Sequence, residues 1–315
     1  MKSPEWLTER GIGETRYALI ENGEIVEARV LLDGVLPAGT TLRAQLKRAS
    51  SPTIAVLGER EFILPKGAPG LTEGMVLTIE IVREAIPGTE PWKRPVARMV
   101  DGDGRAAELP QGEILPFPSP DDRLAAAGWL DLIDEARSGI IAFPGGELRV
   151  SVTPAMTLID VDGQSPPPEL AVAGARAAAR AIRRHGIGGS IGIDLPTVGG
   201  KEIRQAAAAA VDEILPLPFE RTAVNGFGFL QIVRPRKYAS LFELAADRPS
   251  FEARALLRQA GEAIGAIRLA AHPAVITMLE SNPGWIDQLS RQVGGQVALR
   301  TDPSLAISAG HAERV

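Results

Sequence analysis

The chain has 315 residues, a net charge of −5, 45% hydrophobic and 23% charged residues, and no cysteine. That length suggests about two domains with cores of ordinary size. Zero cysteines exclude disulfides, thiolate zinc sites and cysteine nucleophiles, and they fit a reducing compartment. The acidic balance argues against coating nucleic acid by bulk charge, although local basic patches can still surround an acidic site. No apolar run approaches the roughly 20 residues of a membrane span, and 1–5 lack a signal-peptide core. The expectation is a cytoplasmic protein with no membrane partner. His185, His272 and His311 are too widely spaced for a histidine metal cage or a histidine-based triad.

In chain order, 14–32 predicts a hairpin turning on Asn22-Gly23, the pair that best tolerates positive φ. Short β runs follow at 41–46, 53–57, 61–64, 76–82 and 96–99, with Gly and Pro between them, which predicts a small barrel. Residues 101–120 are rich in Asp, Gly and Pro and read as a linker. An amphipathic helix is expected over 121–137, then strands at 147–152 and 156–161. The triple proline at 166–168 predicts a loop. Helix 169–185, strand 190–195, helix 201–215 and strand 228–233 complete an α/β alternation. A long helix over 251–271, helices at 274–279 and 283–293, and strands at 296–300 and 304–309 predict a small α+β unit.

Asp160 and Asp194 each close a predicted buried strand, and the helix between them makes a strand-helix-strand unit. Neighbouring parallel strands put their carboxyl ends on one sheet edge, where ligands tend to bind. Strands lie about 4.8 Å apart, so two carboxylates there could share one hard cation. Asp162 is a third member of the cluster. The bland alternative for each is a turn-former or helix cap. Arg234, Arg236 and Lys237 follow the last strand and are expected at the same edge, as phosphate contacts or as plain surface charge. Lys201, after Gly199-Gly200, could reach that edge too, but it lacks a full phosphate-loop pattern. Arg176, Arg180, Arg183 and Arg184 read as either a phosphate-binding or a solvated helix face. In the barrel, Phe62 with Arg60 or Lys66 could form a stacking and phosphate surface for single-stranded nucleic acid; core packing is the alternative for the ring. Trp92 offers the same choice.

Several stretches, in order, resemble the ribonuclease E/G family: Gly11-Ile12-Gly13-Glu14-Thr15-Arg16; Gly58-Glu59-Arg60-Glu61-Phe62-Ile63-Leu64-Pro65; Thr153-Pro154-Ala155-Met156-Thr157-Leu158-Ile159-Asp160-Val161-Asp162; Gly188-Gly189-Ser190-Ile191-Gly192-Ile193-Asp194; and Phe227-Gly228-Phe229-Leu230-Gln231-Ile232-Val233-Arg234-Pro235-Arg236. The resemblance implies an α/β fold with α+β elements. It would comprise an RNase H-like segment at 1–32, an inserted OB-type RNA-binding barrel at 33–100 and a linker at 101–120. A DNase I-like catalytic core would follow at 121–238, and a small C-terminal α+β domain at 239–315. It implies a magnesium ion, replaceable by manganese, on Asp160 and Asp194, with Asp162 beside it. The implied reaction is endonucleolytic cleavage of single-stranded RNA to 5′-phosphate and 3′-hydroxyl ends. Lys66, Lys201, Arg234, Arg236 and Lys237 are the expected RNA contacts with Phe62, and the C-terminal region the expected homodimer contact.

The chain also departs from that pattern. The family's Cys-Pro-x-Cys zinc link cannot exist here, and most of the 5′-end sensor region is missing. One barrel aromatic is lost near Ile54-Ala55-Val56. Asn225-Gly226 stands where the family commonly has Ser-Arg, and Gln231 replaces a usual Glu. A non-catalytic RNA-binding relative, or an assembly module on the same fold, is the competing expectation.

Overall fold

The computed structural model describes residues 4–88, 90–119 and 121–315. Strands β1 (Glu5–Arg10), β2 (Glu14–Glu21) and β3 (Glu24–Leu32) form an antiparallel meander. The β2–β3 turn has φ of 53° at Asn22 and 86° at Gly23, the backbone that a twisted two-residue hairpin requires. β1 gave no expectation from sequence, because its charges interrupt the apolar alternation.

Strands β4 (Thr41–Arg48), β5 (Thr53–Leu57), β6 (Arg60–Leu64), β7 (Val76–Arg83) and β8 (Val96–Met99) close a barrel in the order β4-β5-β6-β8-β7. Alternate residues point inward, so Leu46, Phe62, Leu64, Leu77, Ile79 and Ile81 fill it. Short β runs punctuated by Gly and Pro made this barrel legible.

Residues 101–120 are not a free linker throughout. Strand β9 (Glu113–Leu115) pairs in parallel with β1, with Leu7 opposite Glu113, and extends the first sheet to β3-β2-β1-β9. The barrel is therefore inserted between two strands of one sheet. Three residues between Gly and Pro carry no readable period, and pairing with a distant strand decides their structure.

The helix expected over 121–137 is two helices, α1 (Arg123–Ala126) and α2 (Trp129–Ser138), broken at Gly128. Asp122 caps α1 by accepting the Ala125 N–H at 2.8 Å. Then come β10 (Ile140–Phe143), β11 (Gly146–Val152), β12 (Thr157–Gly163), α3 (Pro167–Arg184), β13 (Gly189–Asp194), α4 (Lys201–Ile214), β14 (Glu220–Arg221) and β15 (Phe229–Arg234). They build a six-stranded sheet in the order β10-β11-β12-β13-β15-β14. Only β12 and β13 run parallel, joined by α3. The prolines at 167 and 168 open α3 rather than delay it, since the first helical turn needs no internal N–H bonds. Ala171, Ala175, Ala178 and Ile182 recur every three to four residues and bury one stripe of α3. The opposite face of the sheet is left open.

The C-terminal part holds α5 (Leu241–Ala246), α6 (Arg248–Ala260), β16 (Ile267–Ala271), α7 (Pro273–Glu280), α8 (Pro283–Val293), β17 (Val297–Thr301) and β18 (His311–Arg314). Its sheet runs β17-β16-β18. The helix expected over 251–271 thus ends at Ala260, and 267–271 is the central strand. A short apolar run buried on both faces has no period that separates strand from helix. Residues 304–309 form turns, not a strand. The unit is stitched to the rest: α5 packs Leu241, Phe242 and Leu244 into the main core, while Ile12 sits in the C-terminal core.

A buried charge cluster joins the same parts. Glu14 accepts a hydrogen bond from Arg258 and faces Arg254 Nε at 3.2 Å. Arg16 donates to Glu9 and lies 4.8 Å over the Trp129 ring. Among the described residues no helix is long and apolar enough to cross a membrane.

Candidate metal centre

Parallel pairing of β12 with β13 sets Thr157 opposite Ile191 and, three residues on, Asp160 opposite Asp194. Side chains alternate across a sheet, so Ile159, Val161, Ile191 and Ile193 are buried beneath the helices. Asp160, Asp162 and Asp194 therefore stand on the open face, and all three are exposed. The crossover helix α3 enforces this by burying one face and leaving the other free.

On the antiparallel neighbour β11, Arg149 lies opposite Asp160 and Glu147 opposite Asp162. Arg149 donates to Glu147 at 2.5 Å, and its Nε is 3.9 Å from Asp162. One guanidinium thus serves Glu147 and Asp162 and faces Asp160 across the strand pair. The Asp160 carboxyl is held above the usual carboxylate value, first by partial burial, then by the negative charges of Asp162 and Asp194. The Val161 N–H and Arg149 offset this only in part.

Such crowding suits a bound cation. Among the described residues no group of three or more His, Cys, Asp and Glu forms a ready metal cage. What the strands offer instead is two carboxylates on adjacent, in-register strands, open to solvent. That donor set fits Mg²⁺ or Mn²⁺, hard cations that bind through one or two carboxylates and fill the remaining positions with water or phosphate.

The other expected residues divide. Lys201 opens α4, after the loop that leaves Asp194, and is exposed. Arg234, Arg236 and Lys237 do not reach the acidic edge. β15 runs antiparallel to β13, with Gly189 opposite Arg234 and Asp194 opposite Phe229. Five residues of strand place these cations about 17 Å away, at the far end of the sheet. The expectation failed because it assumed a parallel last strand. Arg234 donates to the Ile187 carbonyl at 3.3 Å, and Arg236 pairs with Glu243. Along α3, Arg176 pairs with Glu213, Arg183 with Glu21 and Arg184 with Glu135, so these arginines join structural elements.

Phe62 is 0% exposed inside the barrel, opposite Ala55, and so presents no ring for stacking. Lys66 lies exposed in the turn after β6, and Arg60 and Trp92 are also exposed.

Two residues of the acidic edge had escaped sequence reasoning. Phe229 sits opposite Asp194, its ring pressed over Gly192, where a Cβ would come within 2.5 Å of it. Phe227, two residues earlier, projects into solvent. The only sequence signal for them was an aromatic repeat around Gly228. The chain matches no family model and no curated protein.

Proposed function

We propose that this chain is a metal-dependent endoribonuclease of the ribonuclease E/G type, cleaving single-stranded RNA to 5′-phosphate and 3′-hydroxyl ends. The observation that carries the reading is the in-register placement of Asp160 and Asp194 on an open sheet face. In this reading the six-stranded sheet is the DNase I-like core and the four-stranded sheet the RNase H-like subdomain. The closed barrel is the OB-type module, and its insertion between β3 and β9 supports that division.

Asp160 and Asp194 would hold Mg²⁺, with Mn²⁺ as a substitute. Bound there, the ion would activate a water for attack and neutralise charge on the phosphate oxygens. Asp162, one step along the same face, orients a water by accepting its hydrogen bond. Arg149 holds Glu147 and Asp162 in place and lessens the repulsion felt by Asp160. Lys201 attracts an RNA phosphate to an edge that is otherwise acidic. Lys66 and the exposed basic side chains of the barrel extend the path for the strand by phosphate attraction.

The test is cleavage of a labelled single-stranded RNA with Mg²⁺ or Mn²⁺. Asp160→Asn and Asp194→Asn should each reduce the rate by about a hundredfold or more, as removal of a transition-state charge partner does. Cleavage equal to wild type by both variants rejects the site.

A second reading, a non-catalytic RNA-binding relative, is favoured by Gly226, which supplies no side chain where the family commonly has an arginine. RNA binding that survives chelation, with no cleavage under any divalent ion, selects that reading.

A further inference from the structure

The turn leading into β15 carries a group that the reading above does not use. Phe227 is 82% exposed, the one phenylalanine among the exposed large apolar side chains of the described residues. Its exposure does not come from a loose loop. The Phe227 N–H donates to Asn225 Oδ1 at 2.9 Å, and its carbonyl accepts the Thr197 hydroxyl at 3.0 Å. Asn225 Oδ1 also takes the Phe229 N–H at 3.0 Å, and the Gly228 N–H returns to the Asn225 carbonyl at 3.2 Å. Gly228 has φ of 94°, and a Cβ there would lie 2.1 Å from the Leu195 carbonyl oxygen. The turn is thus clamped onto the segment that leaves Asp194, and the Leu195 N–H bonds the Gly228 carbonyl at 3.2 Å.

The surroundings of the ring point to its ligand. Gly226 and Gly228 flank it without side chains, and a Cβ at Gly226 would meet nothing within 4 Å. A lone ring among glycines does not make the contiguous apolar patch that a protein partner uses. It does offer an accessible π-face, which any nucleobase can stack on. Phe229, two residues on, lies opposite Asp194, so the turn that holds Phe227 sits at the carboxylate end of the strand.

We infer that Phe227 is a stacking platform for one base of the single-stranded RNA whose phosphate is engaged at Asp160 and Asp194. Asn225, standing where the family commonly has a serine, is the residue that positions it. The inference rests on the endoribonuclease reading and adds a base-binding subsite to the acidic edge.

The test uses the full chain and a short fluorescein-labelled oligoadenylate, intact or with a single abasic position moved along the strand. Phe227→Ala should raise KM about tenfold while kcat changes less than about threefold, the scale of one lost stack. Phe227→Trp should retain affinity and show indole quenching on binding. One abasic position should weaken wild type by a similar factor and leave Phe227→Ala unaffected. Wild-type kinetics in Phe227→Ala, or abasic losses that simply add to the substitution, overturn the platform while leaving the endoribonuclease reading intact. Wild-type protein that neither binds nor cleaves the oligonucleotide overturns both.

Discussion

Around Glu14, Arg254 and Arg258 from α6 and Arg16 from β2 crowd together in the interior, with Glu9 beside Arg16. Around Asp160, three further carboxylates crowd onto an open face, with Arg149 beside Glu147 and Asp162. Burial alone would raise Glu14, but Arg258, Arg254 and Arg16 hold it below the usual carboxylate value. At Asp160 burial and two like charges leave the carboxyl raised. Burial and Arg258 push Arg16 down to about 10, which leaves it charged at neutral pH. The contrast separates two uses of charge. Where the chain supplies the counter-charge, the cluster ties elements together; where it does not, a cation from outside has a place to bind.

Removing the built-in counter-charge should have the largest effect. Glu14→Gln leaves Arg254 and Arg258 buried beside a neutral amide, and should cost about 3–5 kcal/mol of stability. A lower midpoint in urea unfolding measures it, and an unchanged midpoint would falsify the structural role.

Supplying the missing counter-charge should have the next largest. Mn²⁺ at ten times its dissociation constant should stabilise wild type by about 1.4 kcal/mol. Asp194→Asn should lose most of that gain in thermal unfolding. Equal stabilisation of both proteins would place the ion elsewhere.

The two carboxylates should also differ in the sign of their pH dependence. Glu14, lowered from 4.5, contributes stability above that value that is lost as pH falls through its folded pKa. Asp160, raised from 3.8, carries a penalty that is complete above its folded pKa and absent below 3.8. Asp160→Asn should therefore gain stability at neutral pH, by a small amount because solvent screens the exposed group, and the gain should vanish in acid. A gain that persists below pH 3.8 contradicts this assignment.

The smallest expected effect concerns the far end of the sheet. Arg234→Ala should change RNA affinity less than about twofold, because its partner is the Ile187 carbonyl and not the acidic edge. Fluorescence anisotropy at low salt, where phosphate attraction is strongest, is the measurement. A loss as large as that of Lys201→Ala would bring the far end into the RNA path.

By itself, the sequence determined the elements whose pattern is local. Asn22-Gly23 specified its hairpin, short β runs punctuated by Gly and Pro specified the barrel strands, and the Ala-rich stripe specified α3. Asp160 and Asp194 were legible as a pair because a βαβ crossover fixes the sense of its two strands. Tertiary structure decided what depends on distant partners. β9 exists because it pairs with β1, and 267–271 is a strand because β17 and β18 flank it. The antiparallel sense of β15 moved Arg234 and Arg236 to the far end and brought Phe229 opposite Asp194 instead. Register and strand direction are set by pairing energies summed across the sheet, which no single segment encodes.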